Sequence, residues 1–192
     1  MDILEVLKVA VQNFDKDIIC QGSSLSYKSS NHLRVNNKSA TKVPRESVYD
    51  AELYRTLVNW LKQVHHIGVV GQWHLDFVDI KDGDHHHSFC DLALRLSNGD
   101  VPVAVLELLA TSSPVVLDQH ISKIQKYGAC LNPLELWIVH FTREDDYTPY
   151  WPWEEEINII HFWHDEKFEH VKMSAKFLGT AEIEKVVDVR II

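Results

Sequence analysis

The run VPVAVLELLA, residues 101–110, constrains the fold more than any other stretch of the chain. It is nearly continuously apolar, at both parities, and a strand of that kind is buried on both faces. It therefore demands a central place in a sheet with further structure above and below. The flanking segments supply that structure. After Pro44, with Ser47 as cap, ESVYDAELYRTLVNWLKQV carries Tyr49, Leu53, Leu57, Trp60, Leu61 and Val64 on one face, which predicts a helix through about Val64. VVGQWHLDFVDI (69–80) and FCDLALRL (89–96) read as strands on either side of the turn-rich loop KDGDHHHS. Asn98-Gly99 is a strong hairpin signal leading into the central strand. A helix follows from about Val115 to Tyr127, with Gly128 as its stop. LELWIVHF (134–141), INIIHFWH (157–164) and FEHVKMSAKFL (168–178) read as further strands. The order predicts an α/β domain with a mixed central sheet flanked by helices.

Ahead of it, Ile3, Leu4, Leu7, Val11, Phe14 and Ile18 recur at helical spacing, so an N-terminal helix is expected through about residue 19. GSSLSYKSSNHLRVNNKSATKVPR (22–45) is rich in Ser and Asn, holds Lys28, Arg34, Lys38, Lys42 and Arg45, and contains no acid. That composition predicts a flexible basic linker that serves as a solvated tether, follows nucleic-acid phosphates or acts as an import signal. The organisation expected is therefore a helix at 1–20, a linker at 21–45 and one domain at 46–192.

The chain has 192 residues, 45% of them hydrophobic and 24% charged, which excludes wholesale disorder. No apolar run approaches the roughly 18 residues of a membrane span, and Asp2 and Glu5 stand where a secretory signal is cationic. Three widely spaced cysteines, Cys20, Cys90 and Cys130, point to a reducing intracellular setting rather than a disulfide framework. A net charge of −9 disfavours a broad nucleic-acid-binding face. It divides unevenly, into +5 over residues 22–45 and −14 over the rest.

Glu107 is the one charge inside the central strand, and an unpaired buried carboxylate costs several kcal/mol. Asp91 is its counterpart one hairpin away, out of phase with Leu92, Leu94 and Leu96. The two converge on one face, and Glu52, beside the apolar stripe of the preceding helix, can look toward them. Carboxylates gathered in this way suit a hard divalent cation, Mg²⁺ or Mn²⁺. The competing assignments are an ion pair of Glu107 with a buried Arg or Lys, a solvated strand start for Asp91, and a surface position for Glu52.

Helix with an acid, strand with Asp91 in CDLALRL, hairpin, strand with Glu107 in VAVLELLAT, then the helix LDQHISKIQKYG: this succession resembles the PD-(D/E)xK nuclease superfamily, whose fold is restriction-endonuclease-like. VYDAELYRTLVNWL, VLELLAT, LELWIVHFTRED, PYWPW and NIIHFWHDEKF with HVKMSAKF are similar to the nuclease-like C-terminal domains of crinkler-type effector proteins of filamentous microbes. In that group the domain follows a P-loop NTPase-like segment, and no such phosphate-loop motif occurs here. The resemblance implies Mg²⁺-dependent (or Mn²⁺-dependent) hydrolysis of DNA or RNA, with the ion held by Asp91, Glu107, the backbone carbonyl of Leu108 and Glu52. It also implies action in a host nucleus, on nucleic acid or a nuclear protein, with a homodimer as a further expectation. The motif lysine expected two residues after Glu107 is Leu109. Either a basic residue has moved to the following helix, where Gln119, Lys123 and Lys126 share a stripe at i, i+4 and i+7, or the fold binds without cutting.

His85-His86-His87 with Cys90 lacks the spacing of a structural zinc site. Ser112-Ser113 lacks a nucleophile elbow. Tyr150-Trp151-Pro152-Trp153 suits core or lid packing, with base stacking as the functional alternative.

Overall fold

The computed structural model describes residues 1–29, 33–78, 85–97, 99–151, 156–177 and 183–187. Helices α1 (Ile3–Gln12), α2 (Lys16–Leu25) and α3 (Glu46–His65) precede three strands, β1 (Ile67–Val78), β2 (His85–Leu96) and β3 (Pro102–Ala110). Helix α4 (Pro114–Leu131) then leads to β4 (Glu135–Thr142), β5 (Asn158–His164), β6 (Val171–Lys176) and β7 (Ile183–Val187). The sequence readings that touch 30–32, Asp79 to Asp84, Asn98, Pro152 to Glu155 and the stretch around Leu178 lie outside the described residues, as do the side chains of Val64, His85 and His86.

The seven strands form one sheet in the spatial order β7-β6-β5-β4-β3-β2-β1. Strands β1, β2 and β3 form an antiparallel meander, and β3, β4 and β5 are mutually parallel. Parallel neighbours need a crossover, and α4 is the one between β3 and β4. Helix, meander, helix, parallel strand is the restriction-endonuclease-like order, and the domain is α/β with a mixed sheet flanked by helices.

Strand β3 is buried along its whole length. Its residues divide by parity. Ala104, Leu106 and Leu108 join the core under α1, α2 and α3. Val105 and Leu109 join Leu117, Ile121, Ile124 and Tyr127 of α4 on the opposite face. At roughly 25 cal/mol per Å² of apolar surface removed from water, this two-sided burial is the main stabilising contribution.

The N-terminal helix is corrected by the structure into two. Asn13 ends α1, and the Asp15 carboxylate accepts from Asp17 N and Ile18 N to begin α2. The break follows from the strong preference for Asp at an N-cap. Ile3, Leu7, Val11 and Phe14 are buried in the main core. The Phe14 ring lies 5.8 Å from both Phe141 and Phe168, stacked on each.

The flexible linker expected at 21–45 is also corrected. Residues through Leu25 complete α2, and Tyr27–Lys28 pairs antiparallel with Val43–Pro44. Arg34–Val35 pairs with Lys38–Ser39 around Asn36 and Asn37, both at positive φ (54° and 58°), the turn that asparagine favours. Asp145 fastens this hairpin by accepting from Asn36 N at 2.9 Å and Asn37 N at 2.7 Å. Val35 and Val43 are buried, and Gly22 lies so close to Val48 and Pro44 that a Cβ would meet Val48 Cγ1 at 2.8 Å. Isolated valines and a distant aspartate hold what composition alone reads as a tether.

Smaller differences have local causes. Helix α3 begins at Glu46 with Arg45 at the N-cap, so Ser47 lies inside the helix and is not its cap. His85–Ser88, expected in a loop, extends β2 as partners of Leu75 to Val78.

Because α1 belongs to the main core, Leu7→Ala should cost about 2–5 kcal/mol, as for other fully buried leucines. Urea unfolding measures it; a loss below about 0.5 kcal/mol, typical of surface changes, contradicts the docking.

Candidate active site

Glu107 is wholly buried on the α4 face of β3. Its Oε1 accepts from Lys123 Nζ at 2.6 Å and from His120 Nδ1 at 2.7 Å, while its Oε2 is buried with no hydrogen-bond partner. Lys123 and His120 are three residues apart, on adjacent turns of α4, so one helix face presents both to the same oxygen. Burial lowers the affinity of Lys123 for its proton, but the hydrogen bond and charge of Glu107 outweigh that and hold the ammonium well above its ordinary range.

Asp91, 8% exposed, faces the same space from β2. The β2–β3 pairing runs from Arg95↔Pro102 to Leu92↔Leu106, and beyond it the Asp91 carboxylate takes the Leu108 N–H at 2.7 Å. The sheet is distorted here. Cys90 and Ala93 both pack on the α4 side while Leu92 and Leu94 pack on the other, which an undisturbed period of two forbids. Across the ladder, Gln72 lies opposite Asp91 between Gly71↔Leu92 and Trp73↔Cys90, with φ at 51°. The kink inserts no residue, since Gly71↔Leu92 and Trp73↔Cys90 keep one register on either side of it.

Burial first, and the Glu107 charge second, push the Asp91 carboxyl up to about 7, against the pull of the Leu108 N–H. Burial also raises Cys90, to about 11, with Asp91 and Glu107 adding to it.

Helix α3 contributes two acids, and they are not the expected one. Glu52, 1% exposed, accepts from Asp15 N at 2.6 Å and forms an ion pair with Arg55. It joins α3 to the start of α2 and is removed from the carboxylate group. The α3 acids that feel the Glu107 charge are instead Glu46 and Asp50, one turn apart. Burial raises the Glu46 carboxyl, and His120, Glu107, Lys123 and Lys28 all act on it. Asp50 is raised by burial and by Glu107, and its Oδ1 is buried without a partner. No three ligand atoms of these groups come within 4.8 Å of one another, so they form no closed cage.

The remaining expected residues divide. Leu109, in the motif-lysine position, is 1% exposed in the core beneath α4. Lys126 is exposed, away from Glu107. Of the arm cations, Lys28 turns inward and donates to the Ala110 carbonyl at the end of β3. Arg45 bonds Tyr27 O, Lys42 sits over the Tyr27 ring, and Arg34 and Lys38 stay exposed on the hairpin. They do not form one continuous track. His87 meets His74 at 3.0 Å rather than Cys90. Among the described residues, the group with three metal-capable side chains is Asp165, Glu169 and His170, where Asp165 is engaged by Glu169 and His170 within its own turn.

Two features fix α4 over the site. Tyr127 Oη donates to Phe89 O at 2.8 Å beside Asp91. Ser112 N, in the β3–α4 turn, donates to Nε2 of the buried His140 at 2.9 Å. His140 Nδ1 therefore carries the proton and faces His161 Nδ1 at 3.1 Å, with Tyr147 Oη 3.2 and 3.0 Å from the two nitrogens. Burial keeps both imidazoles neutral, His161 at about 4 and His140 well below its ordinary value. A cleft of about 240 Å³ flanks α4 between Ser112, Leu117, Tyr147 and Tyr150, and none of the four carboxylates lines it.

No family model matches this chain, and no curated protein matches it by sequence. Glu46 and Asp50 were missed by sequence reasoning, which placed His120 only on the turn flanking the Lys123 stripe and not against Glu107. Their signal was the helix phase: Asp50 adjoins Tyr49 on the inward stripe, and His120 lies one residue before Ile121 and three before Lys123.

A folded carboxyl held near pH 7 keeps a proton that the unfolded chain, at about 3.9, gives up. The stability Asp91 contributes is therefore complete below about pH 4 and is lost as pH rises through about 7. In cation-free buffer, urea-unfolding free energies across that window should fall less steeply for Asp91→Asn than for wild type. Parallel profiles would contradict the assigned environment.

Proposed function

We propose that this domain is a metal-dependent phosphodiesterase of the PD-(D/E)xK type acting on DNA or RNA. One observation carries the reading: the buried Glu107 carboxylate has one oxygen held by Lys123 and His120 and the other without a partner, one strand from Asp91. Glu107 Oε2 and Asp50 Oδ1 are orphaned acceptors in an acid-rich space, which suits a hard cation that takes oxygen ligands and keeps several waters. Asp91, Glu107 and the Leu108 carbonyl would hold it, with Glu46 and Asp50 supporting from α3. When bound, such a cation supplies Lewis acidity toward water and a phosphoryl oxygen.

The side chains of the chain have separate tasks in this reading. Lys123 keeps its proton, so it serves as a fixed positive donor for charge developing on a phosphoryl oxygen, not as a base. His120 and Lys123 together hold Glu107 in a single orientation. Tyr127 and the Ser112–His140 contact keep α4, and hence Lys123, in register with β3. In this reading Lys123 takes over the role that the superfamily pattern gives to a lysine at the Leu109 position.

Leu109 supports a second reading, a nuclease-fold effector domain that binds host nucleic acid or a nuclear protein without cleaving it. Its side chain is locked in the core, so no small movement restores a lysine there. The similarity to crinkler-type effectors accords with either reading and makes a host nucleus the place of action.

Plasmid DNA and RNA incubated with Mg²⁺ or Mn²⁺ separate the two. The expected result is cleavage that falls at least about 10²-fold in Asp91→Asn, Glu107→Gln and Lys123→Met, the scale of one lost transition-state contact. Thermal melts of each variant establish that it is folded. Undiminished cleavage in the first two refutes the site, and binding without cleavage by wild type selects the second reading.

A further inference from the structure

We infer that Lys28 is a substrate-phosphate ligand, delivered to the end of β3 by the folded N-terminal arm. The inference rests on the phosphodiesterase reading and adds a binding residue from outside the helix–meander–helix unit.

An ammonium carries three donors. The hydrogen bond recorded for Lys28 Nζ is to Ala110 O, an oxygen that Ser112 Oγ also approaches at 3.3 Å. Lys28 is half-buried, and burial lowers the affinity for its proton while the Glu46 carboxylate partly restores it. Desolvating an ammonium with donors unspent is costly, so a residue whose task is only to anchor the arm is poorly served by this position. Arg34 and Lys38, by contrast, remain at the surface. The next residue along the strand gives an independent sign. Thr111 is buried, held at φ 47°, and its hydroxyl has no partner. Unspent donors thus meet at one turn.

The place is continuous with the carboxylate site. Ala110 is three residues beyond Glu107, about 10 Å along an extended strand. Glu46 feels His120, Glu107, Lys123 and Lys28 together, so both lysines lie within electrostatic reach of the same acid. With Asp91, Glu107, Glu46 and Asp50 opposed by Lys123 and Lys28, the unliganded site is net negative. A strand phosphate needs a cation beyond Asp91 and Glu107, and Lys28 provides one at the end of β3, with Glu46 as its acidic neighbour. The arm is rigid enough to deliver it, through the Tyr27–Lys28 pairing with Val43–Pro44 and the close packing of Gly22 on Val48.

The test is salt-dependent binding of a short labelled DNA duplex, and of RNA of the same sequence, to the full chain in Ca²⁺. Wild type is compared with Lys28→Met, which keeps the aliphatic stem, with Lys28→Arg, which keeps the charge, and with Lys62→Met at the opposite end of α3. Each phosphate contact contributes about 0.9 to the slope of log affinity against log salt on duplex DNA and about 0.7 on single strands. Lys28→Met should lose about one such contact, with Lys28→Arg and Lys62→Met keeping the wild-type slope. Inorganic phosphate forms the second arm, because a free ion offers the same chemistry. Protection of wild type from thermal unfolding by phosphate, with no change of slope in Lys28→Met, overturns the strand-phosphate assignment. An unchanged slope with only a lowered melting temperature overturns it in favour of an anchoring role. Absence of any binding by wild type removes the phosphodiesterase reading and this inference together, whereas binding with an unchanged Lys28→Met slope removes this inference alone.

Discussion

The structure is organised around a carboxylate that solvent does not reach. Taking a charge such as that of Glu107 out of water costs several kcal/mol even after relaxation, and its neighbours must offset that cost. Lys123 and His120 do so for one oxygen, and this requires α4 to cross β3 at one height and rotation. The parallel β3–α4–β4 crossover, the Ser112–His140 bond and the Tyr127–Phe89 bond all serve to hold that placement. Leaving the second oxygen unmatched keeps the local balance incomplete. A purely structural ion pair is better served by full satisfaction of both oxygens.

Much of this was legible in the chain because burial and polarity conflict visibly in short strands. Glu107 in VPVAVLELLA and Asp91 in CDLALRL stand out against their apolar phase, and Lys123 falls on the helix stripe that follows. Glu52 shows where the method fails. Both Glu52 and Asp50 lie one residue from the apolar stripe of α3, and only the seating of α3 on the sheet, with α2 packed beside it, sends one to Arg55 and the other toward Glu107. The arm fails for a related reason. Its docking depends on Asp145, which is remote in sequence, and on single valines whose burial no composition reveals. The kink at Asp91 was equally hidden, since it appears only in the packing of Cys90 to Leu94 and in the backbone of Gln72.

Electrostatics pull the domain in two directions. Asp91, Asp50 and Glu46 are more easily accommodated when protonated, whereas His140, His161 and His164 are accommodated only when neutral. Lower pH relieves the first group and strains the second. The two sets lie on different parts of the sheet, the acids around β2, β3 and α3 and the imidazoles on β4 and β5, so neither neutralises the other directly. The two dependences therefore oppose each other over the same range, between the unfolded carboxylate value of about 4 and the unfolded imidazole value of about 6.5.

The stacking of Phe14 between Phe141 and Phe168 has a consequence for how the protein is made. Helix α1, followed two residues later by Phe14, closes on partners 127 and 154 residues further along the chain, Phe141 in β4 and Phe168 between β5 and β6. Its apolar face must remain unsatisfied, or be shielded by a chaperone, until most of the chain has emerged. Contacts so distant in sequence slow folding and lengthen exposure to aggregation. Slowed translation between α1 and Phe168 therefore prolongs the interval in which the apolar face of α1 is exposed.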